Sequence, residues 1–124
     1  MIPLTTTLRI NGITSFATGL LLAIFPRVAA DIFGVTASAP FLATGLFLVV
    51  FASGVLFVAQ RPTPSAVKWI IALDTIWVIG SAVAILALFS AISGIGTLLI
   101  AGVALWVGAM AILQQKGLRS HATA

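Results

Sequence analysis

The chain of 124 residues holds no cysteine, one histidine, two acids and two methionines. Without cysteine there can be no disulfide, thiolate metal site or cysteine nucleophile, and the redox compartment is left unread. The histidine, His121, stands in a polar tail, so no imidazole within an apolar run is available to ligate a haem, a chlorophyll or a metal. Met1 and Met110 do not make a ligand pair. Asp31 and Asp74 form no acid cluster for a hard cation. No nucleophile–base pair and no phosphate-binding glycine loop is legible. Neither catalysis nor a cofactor is expected.

Charge is scarce as well. Six basic and two acidic residues make up 6% of a chain that is 61% hydrophobic, with a mean hydropathy of +1.28. A soluble domain carries about 25% charged residues, and so few charges could not cover a soluble surface of this size. A net charge of +4 and a pI near 11.6 could suggest a nucleic-acid partner. The basic residues, however, flank apolar spans instead of forming a stripe, so the expected surroundings are a lipid bilayer and not nucleic acid.

Four stretches, roughly 8–26, 40–60, 66–90 and 94–115, are continuous apolar runs. Each is long enough for a helix to cross a hydrocarbon core about 30 Å thick, which takes about 20 residues. Only helices or closed barrels satisfy their backbone in lipid, and unbroken rather than alternating runs favour helices. Arg9, the run "ITSFATGLLLAIF" and "VAA" at 28–30 also fit the outline of a signal peptide; the segment is read here as the first span. The expected fold is an all-α polytopic membrane protein: one domain over 1–124, a four-transmembrane-helix bundle and a polar, frayed tail at 116–124.

Local signals mark the joints. "PRVAADIFG" (26–34) reads as a short interfacial helix after the first span, with Pro26 in its first turn, Arg27 and Asp31 four apart and Gly34 at its end. Ser38 and Pro40 favour starting the second span, Thr63 is placed as an N-cap before Pro64, and "SAISGIG" (90–96) is an uncharged hairpin. "ATGL" occurs at 17–20 and 43–46. So short a match in low-complexity sequence does not establish an internal repeat, and the inverted-repeat transporter plan gains no support from it.

The fourth span carries Thr97, Ala101, Ala104, Gly108 and Ala111 at helical spacing. A face of small residues lets backbones approach closely in lipid, either inside the bundle or between subunits.

Asp74 interrupts an apolar run, six residues beyond Lys68, which puts it about 9 Å into the span at 1.5 Å per residue. An aspartate at a helix centre costs about 2.5–3.5 kcal/mol on insertion scales, so its side chain should face the interior. Arg9 and Asn11 reach its level from the first span, with Thr14 and Ser15 just deeper. Ser53 approaches from the second span, Trp77 lies three residues on from Asp74, and Trp106 comes from the fourth span. These residues outline a polar pocket walled by two indoles, with Asp74 bonded to Asn11 or Arg9. The pocket is either a register-fixing cluster or a ligand or ion site. Trp69, beside Lys68, reads as a headgroup anchor.

The segments "LRINGITSFATGLLLAIFP" (8–26), "ALDTIWVIGSA" (72–82) and "ILQQKGLR" (112–119) resemble those of small bacterial four-helix inner-membrane proteins with no assigned activity. That resemblance covers nearly the whole chain and implies a bacterial inner membrane. In size and span number the chain is also similar to small multidrug-resistance transporters. Their essential first-span glutamate has no counterpart here, where that span offers Asn11 and hydroxyls. Small fluoride channels share the size but not the charge bias.

The function favoured by sequence is non-enzymatic and works through helix contacts, as an accessory subunit of a larger membrane complex or a self-associating module. One alternative is an oligomeric proton- or cation-coupled transporter using Asp74. Another is a binder of an apolar ligand (a carotenoid, quinone or lipid) between helices.

Orientation follows from the basic residues: Arg9, Arg61, Lys68, Lys116 and Arg119 fall on one side and Arg27 alone on the other. The positive-inside rule then places both termini in the cytoplasm. Reporter fusions at Met1 and Ala124 should both read cytoplasmic, and a cysteine introduced at Thr36 should label from outside. A mixed population would mean dual topology and would revive the small-transporter comparison.

Overall fold

The computed structural model describes residues 2–123, with side chains described for residues 2–120. Met1, Ala124 and the His121 side chain lie outside the described residues. The chain forms five helices: α1 (Leu4–Ile24), α2 (Pro26–Phe33), α3 (Ala39–Gln60), α4 (Pro64–Leu88) and α5 (Gly94–Thr123). All but α2 are long and apolar enough to cross a membrane, and no strand occurs among the described residues.

The helix ends follow local chemistry. Pro26 biases the residue before it away from the helical region; Phe25 sits at φ −121°, ψ 50° and closes α1. Gly34 takes φ 72°, the left-handed conformation that suits the residue after a helix, and so ends α2. Ser38 precedes α3, which has proline in its first turn. Thr63 caps α4 by accepting from the Ala66 amide at 3.3 Å.

Three details depart from the sequence reading. First, α1 begins four residues earlier than expected, because Leu4, Thr7 and Leu8 form a buried face. Second, α5 runs through the polar segment expected to fray, since Gly117 and Leu118 are buried there. Third, Arg27 and Asp31 are both exposed and form no ion pair among the described residues. The acid stands in the last turn of α2, where it meets the negative end of the helix dipole, and the basic residue precedes it, the less favourable order.

In lipid, apolar surface gains little by leaving its surroundings, so helices are held by close packing and interhelical hydrogen bonds. α1 packs extensively on α3 and also on α5, and α5 packs on α4. α3 and α4 touch only sparsely, and no Cα of α1 lies within 8 Å of one in α4. At the end bearing most of the basic residues, Leu4, Leu8, Val55, Ala59, Val67, Ile70 and Leu118 form one buried cluster from all four long helices.

Toward the other end, α1 and α3 meet through glycine. A Cβ on Gly45 would stand 2.6 Å from the Ala23 nitrogen and 2.7 Å from the Gly19 carbonyl oxygen. One on Gly19 would stand 2.9 Å from the Gly45 oxygen. The two "ATGL" segments thus face each other in antiparallel helices, and their glycines make the close approach possible.

α2 closes this end. The Ser93 amide donates to the Phe33 carbonyl at 2.8 Å, its hydroxyl donates to the Ile32 carbonyl at 2.7 Å, and its oxygen accepts from the Gly96 amide at 3.0 Å. One serine therefore satisfies terminal carbonyls of α2 and caps α5. The Phe33 ring lies against Gly96, where a Cβ would come within 2.7 Å, and edge-on to Phe41 at 4.9 Å.

Gly45→Val should cost about 1–3 kcal/mol or more in unfolding free energy, because backbone atoms block the added carbons. Gly54, with nothing within 4 Å of an added Cβ, is the control: Gly54→Ala should be neutral or stabilising by up to about 1 kcal/mol. Unfolding by dodecyl sulfate in mixed micelles measures both. Equal effects would contradict the close α1–α3 crossing.

Candidate functional site

One turn inward from the aliphatic cluster, three polar side chains meet. Asn11 on α1, Asp74 on α4 and Gln114 on α5 are each nearly inaccessible to solvent. Asn11 Nδ2 donates to Asp74 Oδ2 at 3.0 Å and to Gln114 Oε1 at 2.8 Å. Gln114 Nε2 donates to the same carboxylate oxygen at 2.9 Å. Ser15 Oγ, one turn along α1, donates to Asn11 Oδ1 at 3.2 Å.

Donors and acceptors match throughout. A carboxylate only accepts, while each amide brings a carbonyl and two N–H groups. The ring therefore has one sense: serine to asparagine, both amides to aspartate. It ties α4 to α1 and α5, and it compensates a buried polar cluster that would otherwise be costly.

Beside the ring lies a crevice lined by Phe47, Leu48 and Phe51 of α3, Leu73, Asp74 and Trp77 of α4, Ser15 of α1 and Val107 of α5. It follows the seam where α3 and α4 scarcely touch. The room in it is about 20 Å³, enough for a water-sized group. Phe47 and Phe51 stack nearly parallel, with ring centres 6.1 Å apart, and Phe47 and Leu73 are partly exposed at the rim. Trp77 Nε1 is buried and has no hydrogen-bond partner among the described residues. Both donors to Asp74 use Oδ2, so Oδ1 accepts none among the described residues.

The other residues picked from sequence are distributed as follows. Arg9 is exposed and stands apart from Asp74, its long side chain free to reach the interface. Ser53 is exposed and bonds the Val49 carbonyl of its own helix at 2.8 Å. Trp106 does not line the crevice; its Nε1 donates to Thr14 Oγ1 at 3.1 Å. Trp69 is exposed beside Lys68. Thr97, Ala101, Ala104, Gly108 and Ala111 are half-buried. Gly108 faces α4, where an added Cβ would meet Val78 Cγ2 at an ordinary 3.7 Å. Among the described residues no cluster of histidine and acids suits a metal.

Sequence reasoning passed over Gln114. The signal was present: Val107, Met110, Gln114 and Gly117 are buried at spacings of three, four and three. This is a helix stripe one position removed from the small-residue face.

Removing one member strands the others, and an unsatisfied buried group costs about 1–3 kcal/mol. Asn11→Leu and Gln114→Leu should each destabilise by that amount, and together by less than the sum, because the partners share one network. Arg9→Ala should leave stability unchanged. Additive losses in a dodecyl sulfate double-mutant cycle would refute the shared network. No family model, curated protein or solved structure matches this chain, so what the site does is argued from the ring, the crevice and the unpartnered indole.

Proposed function

We propose that this chain is a non-enzymatic membrane protein that receives an apolar molecule in the crevice between α3 and α4. The observation that carries this reading is the sparse α3–α4 contact beside a wall of phenylalanine, leucine, valine and indole that surrounds two polar side chains, Ser15 and Asp74. Small-molecule sites share that composition, mostly apolar with a few placed polar groups, and the room of about 20 Å³ would take only the end of a molecule whose remainder lies along the seam. The Asn11–Asp74–Gln114 ring anchors α4 to α1 and α5 but not to α3, which favours the opening. The compartment that fits is a bacterial inner membrane with both termini cytoplasmic. It is supported by the distribution of basic residues and by the resemblance of 8–26, 72–82 and 112–119 to small bacterial membrane proteins.

Cation coupling through Asp74 has weaker support. Both groups that reach the carboxylate present hydrogens, whereas a hard cation asks for several oxygens. A second reading, self-association or docking in a larger membrane complex, is favoured by Gly54, Gly80 and Gly102, which have open space where a Cβ would stand. Small residues facing lipid permit close approach of another helix.

The test is purification in mild detergent, followed by solvent extraction and identification of what accompanies the protein. Leu73, partly exposed at the crevice rim, is the position to fill. Wild-type protein should carry an apolar molecule at near one per chain, and Leu73→Phe should lose it without unfolding. An empty monomer would overturn the reading. An empty multimer would favour the second one.

A further inference from the structure

We infer that the crevice selects an apolar molecule with a single hydroxyl head, an alcohol or a phenol, held between Trp77 and Asp74. The inference rests on the crevice reading above and specifies the chemistry of its occupant.

Three polar groups at the crevice have unmet hydrogen-bonding capacity. Trp77 Nε1–H is a donor only, and it is buried without an acceptor. Asp74 Oδ2 is engaged twice, while Oδ1 accepts no hydrogen bond among the described residues. Ser15 donates its one hydrogen to Asn11 Oδ1, leaving it lone pairs. All three residues line the same crevice, and Trp77 follows Asp74 by three positions, on the same face of α4. Trp77, Asp74 and Ser15 therefore bring one unpaired donor and two acceptors to the wall of the crevice.

Few head groups match that set. A ketone or ester accepts from the indole but gives nothing to the carboxylate. An ammonium donates to the carboxylate but leaves the indole unpaired. A carboxylate head meets Asp74 as a like charge. A hydroxyl does both jobs, donating to Asp74 Oδ1 and accepting from Trp77 Nε1–H, and the room of about 20 Å³ suits a group of that size. The remaining lining, Phe47, Leu48, Phe51, Leu73 and Val107, is wholly apolar. The stacked Phe47 and Phe51 rings give a flat wall along which a chain or ring can extend toward lipid.

The experiment uses Trp77 as its own reporter. Trp69→Phe and Trp106→Phe, both at exposed positions, leave one indole in the full chain, reconstituted in nanodiscs. Three probes are titrated: a dodecanol brominated beside the alcohol carbon, its methyl ether, and the matching bromododecane. Quenching of Trp77 should saturate. The half-saturating concentration should rise several-fold from alcohol to ether, which cannot donate, and again to the bromoalkane, which can do neither. Leu73→Phe should abolish saturation and leave only the linear quenching of bilayer partition. Saturation at equal concentrations by all three probes would overturn hydroxyl selection while the crevice stands. Linear quenching by every probe in the unblocked protein would overturn both.

Discussion

A carboxylate placed inside hydrocarbon must be compensated at once, and that necessity organises this bundle. Asp74 is the one acid within a span, and its position admits partners only from the same depth. Two amides meet the condition, one from α1 and one from α5, converging on a single oxygen. Because α1 and α4 keep their backbones apart, it is side chains that join them: the Asn11 bond together with the aliphatic cluster around Leu8, Val67 and Ile70. Hydrogen bonds between membrane helices average about 0.6 kcal/mol each. The ring therefore adds less to total stability than to geometry, since it admits one rotation of each helix.

The two ends of the molecule are held by different means. At the basic end, aliphatic side chains from four helices interlock beside the amide ring. At the other, contact is made by backbone. Gly19 and Gly45 remove the side chains that would separate α1 from α3, and Ser93 joins the last carbonyls of α2 to the first turn of α5. Between these ends the α3–α4 seam has neither device. An opening arises there because each strong contact on α4 is directed to α5 or α1.

Much of the fold could be read from sequence because length and apolarity alone define spans in a bilayer. Proline at 26, 40 and 64, Gly34 and Thr63 marked the joints for the same local reasons that operate in the structure. The site was only partly legible. Depth brought both Asn11 and Arg9 to the level of Asp74, but depth carries no azimuth, and only Asn11 lies on the inward face of α1. Gln114 borders the polar tail, where a polar residue gives no sign of burial, although its stripe with Val107 and Met110 points inward. Small size marks one face of α5, yet the most buried positions lie one residue away. The recurrence of "ATGL" is too short to stand out as a repeat. Its meaning is steric, and a steric match needs the partner helix in place before it can be recognised.

The ring closes over most of the length of the chain: Asn11 and Gln114 are 103 residues apart, and Asp74 precedes Gln114 by 40. In a chain made from its N-terminus, asparagine is waiting when α4 enters the bilayer, while glutamine, 40 residues behind Asp74, enters later. For that interval the aspartate has one amide instead of two, and the hydrophobic spans are in place without a fixed rotation. The last helix to emerge therefore acts as the latch. Until α5 docks, the chain carries an acid within the membrane that only Asn11 compensates, and Gln114 completes that compensation.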